Sequence, residues 1–152
     1  MKKILTLMLS IVLFSCGASK NVRTQQKVIK GNWELTDIVY SKTGEYNVTL
    51  FNDANKECLE GSSWKFVPNN NTGTYTISDS NCIEGAREFV FVIEETDVNT
   101  GYYDFLLKPK NDENNIGFRL DLIQLTDYTM VWQQNIMVDG SPFLIKMNFT
   151  KQ

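Results

Sequence analysis

The sequence predicts an all-β fold: an eight-stranded antiparallel up-and-down barrel with at most one short helix between the first two strands. From Trp33 onward, apolar and polar residues alternate with a period of two, which is typical of strands that bury one face. Short segments rich in Gly, Asn and Asp separate these runs and favour tight turns between antiparallel neighbours. Closing such a meander into a barrel removes the exposed edges that an open sheet would leave.

Eight segments carry the alternation, and the last of them is the most regular. The first segment is expected to kink near Asp37, because the alternation shifts there. Asn-rich residues 69–73 and the pair Asp139-Gly140 give the strongest hairpin signals. The predicted strands are 33–40, 63–67, 74–78, 87–95, 102–108, 117–125, 128–138 and 142–150.

Only residues 51–60 favour a helix, which would connect the first two strands. Leu50, Ala54 and Cys58 would share one helical face, and Asn52 or Asp53 offers a cap. Gly61 ends the stretch, so we expect a helix of one or two turns.

The chain begins with a segment that is typical of export. Lys2 and Lys3 precede an apolar run over residues 4–14, which is about half the length that crosses a bilayer. We therefore predict a signal peptide over residues 1–15 and a flexible, polar tether over 16–30. The barrel domain then occupies residues 31–152.

Cys16 is the predicted attachment point for lipid. The sequence Leu13-Phe14-Ser15-Cys16-Gly17 resembles the lipobox of bacterial lipoproteins, in which the cysteine is acylated. The alternative is a cysteine near an ordinary cleavage site. Because no Asp follows Cys16, the resemblance implies delivery to the outer membrane, facing the periplasm, with the cell surface as the alternative location in the cell envelope.

The charge of the chain argues against a nucleic-acid partner. Removal of residues 1–15 leaves 13 basic and 18 acidic residues, a net charge of -5. Nucleic-acid binding depends on basic contacts to phosphate, and the linear sequence also holds no polybasic stretch for an anionic membrane. The sequence gives no indication of a protein partner.

Cys58 and Cys82 remain as an even pair in an exported chain, so we predict a disulfide between them. A metal site is the rival interpretation, but the chain has no histidine and two thiolates make a poor zinc site. The absence of histidine also excludes Ser-His and Cys-His catalysis. We therefore predict no metal site, no cofactor and no enzymatic activity.

A stripe of aromatic residues is the main functional candidate. Two interpretations stay open: the rings line a cup for a small hydrophobic ligand, or they fill the barrel as its core. The residues are Tyr75, Phe89, Phe91, Tyr103, Phe105, Phe118 and Trp132.

The motif Gly31-Asn32-Trp33 on the first strand resembles the Gly-x-Trp motif of lipocalins. With the lipobox, the two cysteines and the aromatic second strand, the chain resembles the lipocalin-like lipoproteins of the Bacteroidetes. The resemblance implies that Trp33 seals one end of the barrel. No late arginine is present to pack on Trp33, so Lys151 is the available cation, with a poorer stacking surface.

Two functions follow as hypotheses. The first is a membrane-tethered binding protein that holds a small hydrophobic ligand inside the barrel. The second is a structural or protein-interaction lipoprotein of the cell envelope, with a filled barrel and no ligand.

Overall fold

The computed structural model describes residues 19–110 and 116–152. Over these ranges, eight strands form one closed antiparallel barrel in which each strand pairs with its neighbours in sequence and β8 pairs with β1. The predicted fold class is confirmed. The strands are β1 (Gly31–Tyr40), β2 (Ser63–Val67), β3 (Thr72–Ile77), β4 (Gly85–Asp97), β5 (Tyr102–Pro109), β6 (Phe118–Leu125), β7 (Thr129–Val138) and β8 (Ser141–Lys151).

The short helix between the first two strands is also present, as α2 (Lys56–Leu59), which covers only the end of the predicted stretch 51–60. The predicted caps Asn52 and Asp53 are wrong: Asn55 caps the helix, since its side chain accepts a hydrogen bond from the Cys58 amide at 3.2 Å. A single 3₁₀ turn, Pro68–Asn70, follows β2. The predicted kink near Asp37 is a register shift between Leu35 and Asp37 in the pairing of β1 with β8.

The predicted flexible tether is wrong for most of the segment before the barrel. Helix α1 spans Lys20–Ile29, and the Ser19 side chain caps it by accepting a hydrogen bond from the Val22 amide at 3.2 Å. The sequence did not predict this helix because only Val22 and Ile29 on it are buried. Two apolar residues seven positions apart are too sparse to show a helical period.

Helix α1 lies at the end of the barrel where β1 begins, which we call the closed end. The opposite end, which we call the mouth, carries the β1–β2 loop (residues 41–62), the β3–β4 loop and the β7–β8 turn. Within the described ranges, no helix has the length and apolar content needed to cross a bilayer. Residues 1–18, which include Cys16 and the predicted signal peptide, lie outside the described residues.

Candidate functional site

Trp33 lies at the closed end and is completely buried. Its indole nitrogen donates a hydrogen bond to the Ile29 carbonyl at 2.8 Å, so the strand residue holds the end of α1. The ammonium of Lys151 lies 5.0 Å from the centroid of the Trp33 ring and donates a hydrogen bond to the Val28 carbonyl at 2.6 Å. Lys151 therefore occupies the place in which the resemblance implies an arginine.

The start of α1 is held at the same end by polar contacts with β4. The Glu95 carboxylate accepts hydrogen bonds from the Ser19 hydroxyl at 2.9 Å and from the Asn21 amide at 2.7 Å. Both ends of α1 are thus bonded to the barrel, and the helix covers the closed end.

Aromatic rings from strands that are not neighbours meet inside the barrel. The Trp64 ring on β2 lies 5.5 Å from Trp132 on β7, and Phe66 on β2 lies 6.0 Å from Phe105 on β5. Phe105 in turn stacks on Trp132 at 4.5 Å. These contacts cross the barrel from wall to wall, so the rings fill its middle level.

The structure brings five of the seven predicted aromatic residues into this core at 1% exposure or less and places two at its margin. The five are Tyr75, Phe89, Phe91, Phe105 and Trp132; Tyr103 and Phe118 are partly buried. The predicted set did not include Trp64, Phe66 and Phe149, which belong to the same cluster. The alternation of β2 and β8 already placed these three rings on buried faces.

Phe51 closes the mouth and was not predicted to be part of the core. It belongs to the β1–β2 loop, yet only 3% of it is exposed. Its ring lies 5.5 Å from Phe118, 5.9 Å from Trp64 and 6.4 Å from Tyr75. The loop therefore inserts one ring into the upper part of the barrel. The sequence signal was the apolar pair Leu50-Phe51 within a polar loop.

The backbone at this insertion has an uncommon conformation. Phe51 and Asn52 have φ values of 55° and 54°, in the left-handed region that bulky side chains rarely adopt. One such residue costs on the order of 1–2 kcal/mol, so other contacts must hold the loop in place.

Asp53 supplies two of these contacts. Its carboxylate accepts a hydrogen bond from the Tyr75 hydroxyl at 2.6 Å and lies 3.0 Å from the Arg87 guanidinium. Burial, helped by the neighbouring Asp53 carboxylate, holds the pKa of Tyr75 well above its usual range. Tyr75 is therefore a dependable donor, and Asp53 fixes the loop next to the Phe51 ring.

The predicted disulfide adds a covalent link at the mouth. Cys58 and Cys82 are bonded, with 5.7 Å between their Cα atoms, and they join the β1–β2 loop to the β3–β4 loop. Glu60 adds a further contact, because its carboxylate accepts a hydrogen bond from the Ile38 amide at 2.7 Å. The mouth loop is thus fastened on the C-terminal side of Phe51.

The three tryptophans differ in their hydrogen bonding. The indole nitrogen of Trp33 donates to Ile29, and that of Trp64 donates to the Ser62 hydroxyl at 2.8 Å. Trp132 is fully buried, and its indole nitrogen has no hydrogen-bond partner within residues 19–110 and 116–152. A buried donor without a partner is unfavourable by about 1–3 kcal/mol.

Two further features bear on chemistry. In the part of the chain that the structure describes, no group of three or more Cys, Asp or Glu side chains is arranged to hold a metal ion. A polar surface recess beside the mouth lies between Tyr40, Tyr46, Lys56 and Glu57. Burial and the nearby Glu57 and Glu60 carboxylates raise the pKa of Tyr40 above its usual range.

Three solved structures are similar to this chain at low sequence identity. A lipocalin-like protein from Bacteroides uniformis has 12% identity and a TM-score of 0.50 over 82% of this chain and 99% of that one. A protein from Bacteroides eggerthii has 11% identity and a TM-score of 0.49, over 81% and 98% of the two chains. Bovine odorant-binding protein in complex with a selenium-containing odorant has 11% identity and a TM-score of 0.45, over 90% and 75%.

No curated protein matches the sequence. A family model described as a lipocalin-like domain matches residues 29–132, which is more than half of the chain. The match begins at Ile29, the last residue of α1, and extends to Trp132 in the core. The chain therefore belongs to the family of lipocalin-like domains.

Proposed function

We propose that this protein is a lipid-anchored lipocalin-like protein of the bacterial envelope that binds a small hydrophobic molecule in the mouth half of its barrel. The ligand site lies on the rings that Phe51 covers, chiefly Trp64, Tyr75 and Phe118. Membership of the lipocalin-like family and an apolar, aromatic interior support this proposal.

The observation that carries the proposal is the origin of the Phe51 ring. Every other ring in contact with Trp64 comes from a barrel strand, whereas Phe51 comes from a loop, within the described ranges. A loop ring can leave without breaking the strand pairing that closes the barrel, and its left-handed backbone is relieved when it leaves. The vacated space is the size of one aromatic ring.

The polar groups near this space restrict the ligand. The Trp132 ring lies next to Trp64, deeper in the barrel, with 5.5 Å between the two ring centroids. Its indole N–H has no hydrogen-bond partner in the described part of the chain. We therefore expect a compact, largely apolar molecule of one or two rings, or an equivalent aliphatic group, with a single acceptor that faces Trp132.

The lipid anchor is the second part of the proposal. It rests on the lipobox resemblance at Cys16, and two or more acyl chains give stable attachment where one gives only marginal binding. We propose the outer membrane, on the periplasmic side, as its location. Mass spectrometry of the protein from membranes tests this directly, since an unmodified Cys16 would remove the anchor from the account.

The ligand site is tested by uptake of a compact apolar fluorescent probe such as 6-propionyl-2-(dimethylamino)naphthalene, which has two fused rings and a carbonyl acceptor. We expect measurable binding to the wild type and at least about tenfold tighter binding to Phe51→Ala, because the variant vacates the space that the ligand must otherwise clear. Phe143→Ala is the matched control: it deletes the same side chain from strand β8, also at low exposure, where the ring packs against Tyr40 and Tyr46 rather than Trp64 or Trp132. That variant should lose stability and gain no affinity.

A second function is favoured by one observation, the ring contacts that cross the barrel. If the rings remain packed in solution, the protein is a structural or interaction protein whose outer surface carries its function. Absence of probe uptake by both the wild type and Phe51→Ala would support this alternative and overturn the first proposal. In either case we place the chain among binding or interaction proteins, since it has no histidine base for nucleophilic catalysis.

A further inference from the structure

Helix α1 and its C-cap residue carry four basic residues and no acidic residue over Lys20 to Lys30. The three helical ones, Lys20, Arg23 and Lys27, have a spacing of three and four that places them along one face, and Lys30 follows at the end of the helix. Val22 and Ile29, which are buried against the barrel, lie on a different face. The basic face therefore points away from the barrel core.

Three of these residues line a groove at the closed end. Arg23, Lys27 and Lys30 face the turn at Pro68–Asn71 across a groove of about 510 Å³. All three residues are exposed, and none forms an ion pair with any residue in the ranges 19–110 and 116–152. Arg23 and Lys27 are also like charges four positions apart, an arrangement that weakens a helix by a few tenths of a kcal/mol.

Only part of this charge distribution stabilises the helix. Lys27 lies in the last turn, where a cation is favourable, but Lys20 lies in the first turn, where it is not. The first turn of α1 lacks the acidic residue that would favour its N-terminus, and the exported chain as a whole has a net charge of -5. A positive groove on a negative domain is complementary to an anion outside the protein. The acidic groups at this end, among them Glu95 and Asp97 on β4 and Asp127 in the β6–β7 turn, do not line the groove.

The position of the groove indicates which anion is within reach. Only two residues separate Ser19 from Cys16, and a fully extended chain spans about 10 Å between the two Cα atoms. Because α1 takes up most of the segment predicted as a tether, an acylated Cys16 would hold the closed end next to the membrane surface. The groove would then lie at the depth of the lipid phosphates.

We propose that the groove formed by Arg23, Lys27, Lys30 and the 68–71 turn binds the phosphate groups of anionic lipid headgroups and so docks the barrel by its closed end, with the mouth directed away from the membrane. The inference rests on the lipid anchor proposed above. The anchor gives attachment, and the groove gives orientation.

The test uses the acylated protein in vesicles of phosphatidylcholine containing about one third phosphatidylglycerol, a content that gives a clearly negative surface. A fluorophore is attached at Val98→Cys, an exposed position in the β4–β5 turn at the closed end and outside the groove, or, separately, at Ser141→Cys at the mouth, and a headgroup-bound quencher reports proximity. We expect strong quenching at position 98 and little at 141. Raising the salt concentration should reduce the quenching at position 98.

The charge-reversal variant Arg23→Glu/Lys27→Glu/Lys30→Glu should shift the docking equilibrium by on the order of a hundredfold, as expected for three basic residues at an anionic surface. The matched control Lys42→Glu/Lys65→Glu/Lys146→Glu makes the same change in net charge at exposed residues away from the groove. It should dock like the wild type. Equal quenching of all three proteins, or equal quenching in pure phosphatidylcholine, would overturn the inference.

Two further controls show which part of the proposal fails if docking is not observed as expected. Inorganic phosphate at the same concentration as the lipid phosphate should leave docking intact, and displacement by it would assign the groove to a free anion and overturn the lipid assignment. Mass spectrometry confirms acylation in every sample. An unmodified Cys16 is a failure of the anchor, whereas an acylated protein without oriented docking is a failure of the groove.

Discussion

The two ends of this barrel are closed by different kinds of contact. At the closed end, Trp33 belongs to a strand, is fully buried, and bonds to the Ile29 carbonyl of α1. At the mouth, Phe51 belongs to a loop and is held by the polar contacts of Asp53 and by the Cys58–Cys82 bond. Both rings are buried, but only one is part of the sheet.

The difference separates stability from access. Removing the Trp33 ring from its place requires β1 to leave the sheet or α1 to unfold, so the closed end opens only as the protein unfolds. The Phe51 ring leaves when a loop segment moves, and such local opening costs less than global unfolding. We therefore expect the closed end to determine stability and the mouth to determine binding.

The largest effect is expected from Trp33→Ala. Loss of a fully buried Trp side chain should lower the free energy of unfolding by about 4 kcal/mol, with no gain in probe affinity at the mouth. Urea denaturation measures the loss. Trp33→Phe keeps a ring but not the hydrogen bond to the Ile29 carbonyl, so its stability should fall between those of the wild type and the alanine variant. A loss below about 1 kcal/mol for the alanine variant would contradict the role of Trp33 in stability.

The paired change Cys58→Ser/Cys82→Ser should have the next largest effect. The bond closes a loop with a sequence separation of 24 residues, for which the chain-entropy model gives about 3 kcal/mol. Because it fastens the mouth loop, we also expect faster probe entry in stopped-flow fluorescence. A melting temperature equal to that of the wild type would show that the bond contributes nothing to the folded state.

Asp53→Ala should alter the mouth at a smaller cost in stability. It leaves the Tyr75 hydroxyl and the Arg87 guanidinium without their shared partner, at about 1–2 kcal/mol for groups that are mostly buried. Probe affinity should rise several-fold because the loop next to Phe51 is freed. Tyr75→Phe is the control that removes one of the two contacts, and an affinity unchanged in both variants would argue against the loop as a gate.

Alkaline pH should reduce the contribution of Tyr75 to the free energy of unfolding. The pKa of Tyr75 is raised in the folded state, so its stabilising effect is present below the unfolded pKa of about 10 and is lost as the pH rises above it. Between pH 8 and pH 11 this residue should contribute about 1 kcal/mol of the decrease in unfolding free energy. The comparison of wild type with Tyr75→Phe isolates it from Tyr40 and the lysines, and identical slopes would refute the assignment.

The smallest effect is expected from Lys151→Met at the closed end. The variant loses an ammonium 5.0 Å from the centroid of the Trp33 ring and a hydrogen bond to Val28, together about 1 kcal/mol at a partly exposed site. Lys146→Met, an exposed change on the same strand, should be close to neutral. Equal unfolding midpoints for the two variants would mean that Lys151 does not stabilise the seal.

The strands were predictable from the sequence because alternation and turn residues are local signals, as in β8 and the Asp139-Gly140 turn. The disulfide followed from cysteine count and compartment, and Lys151 over Trp33 followed from the lack of a late arginine. Helix α1 was missed because it buries only Val22 and Ile29. Phe51 was missed because its burial depends on how a loop returns over the barrel, which no periodic pattern records.

Whether the rings fill the barrel interior was harder to predict from the sequence. The pattern showed which rings point inward, but whether they meet depends on the diameter of the closed barrel. Contacts such as Phe105 with Trp132 at 4.5 Å exist only once β5 and β7 are curved towards each other. The basic groove was hidden for a similar reason, since the spacing of Arg23, Lys27 and Lys30 acquires meaning only on a helix.

The central claim is that a ligand enters at the mouth, and the indole N–H signals of the three tryptophans in a two-dimensional ¹⁵N–¹H NMR spectrum test it most directly. Trp33 reports the closed end, Trp64 lies beneath Phe51, and Trp132 carries the unsatisfied donor. Titration with the two-ring carbonyl probe 6-propionyl-2-(dimethylamino)naphthalene should shift the signals of Trp64 and Trp132 and leave that of Trp33 unchanged. Movement of Trp33 alone, or of none of the three at saturating probe, would contradict the account.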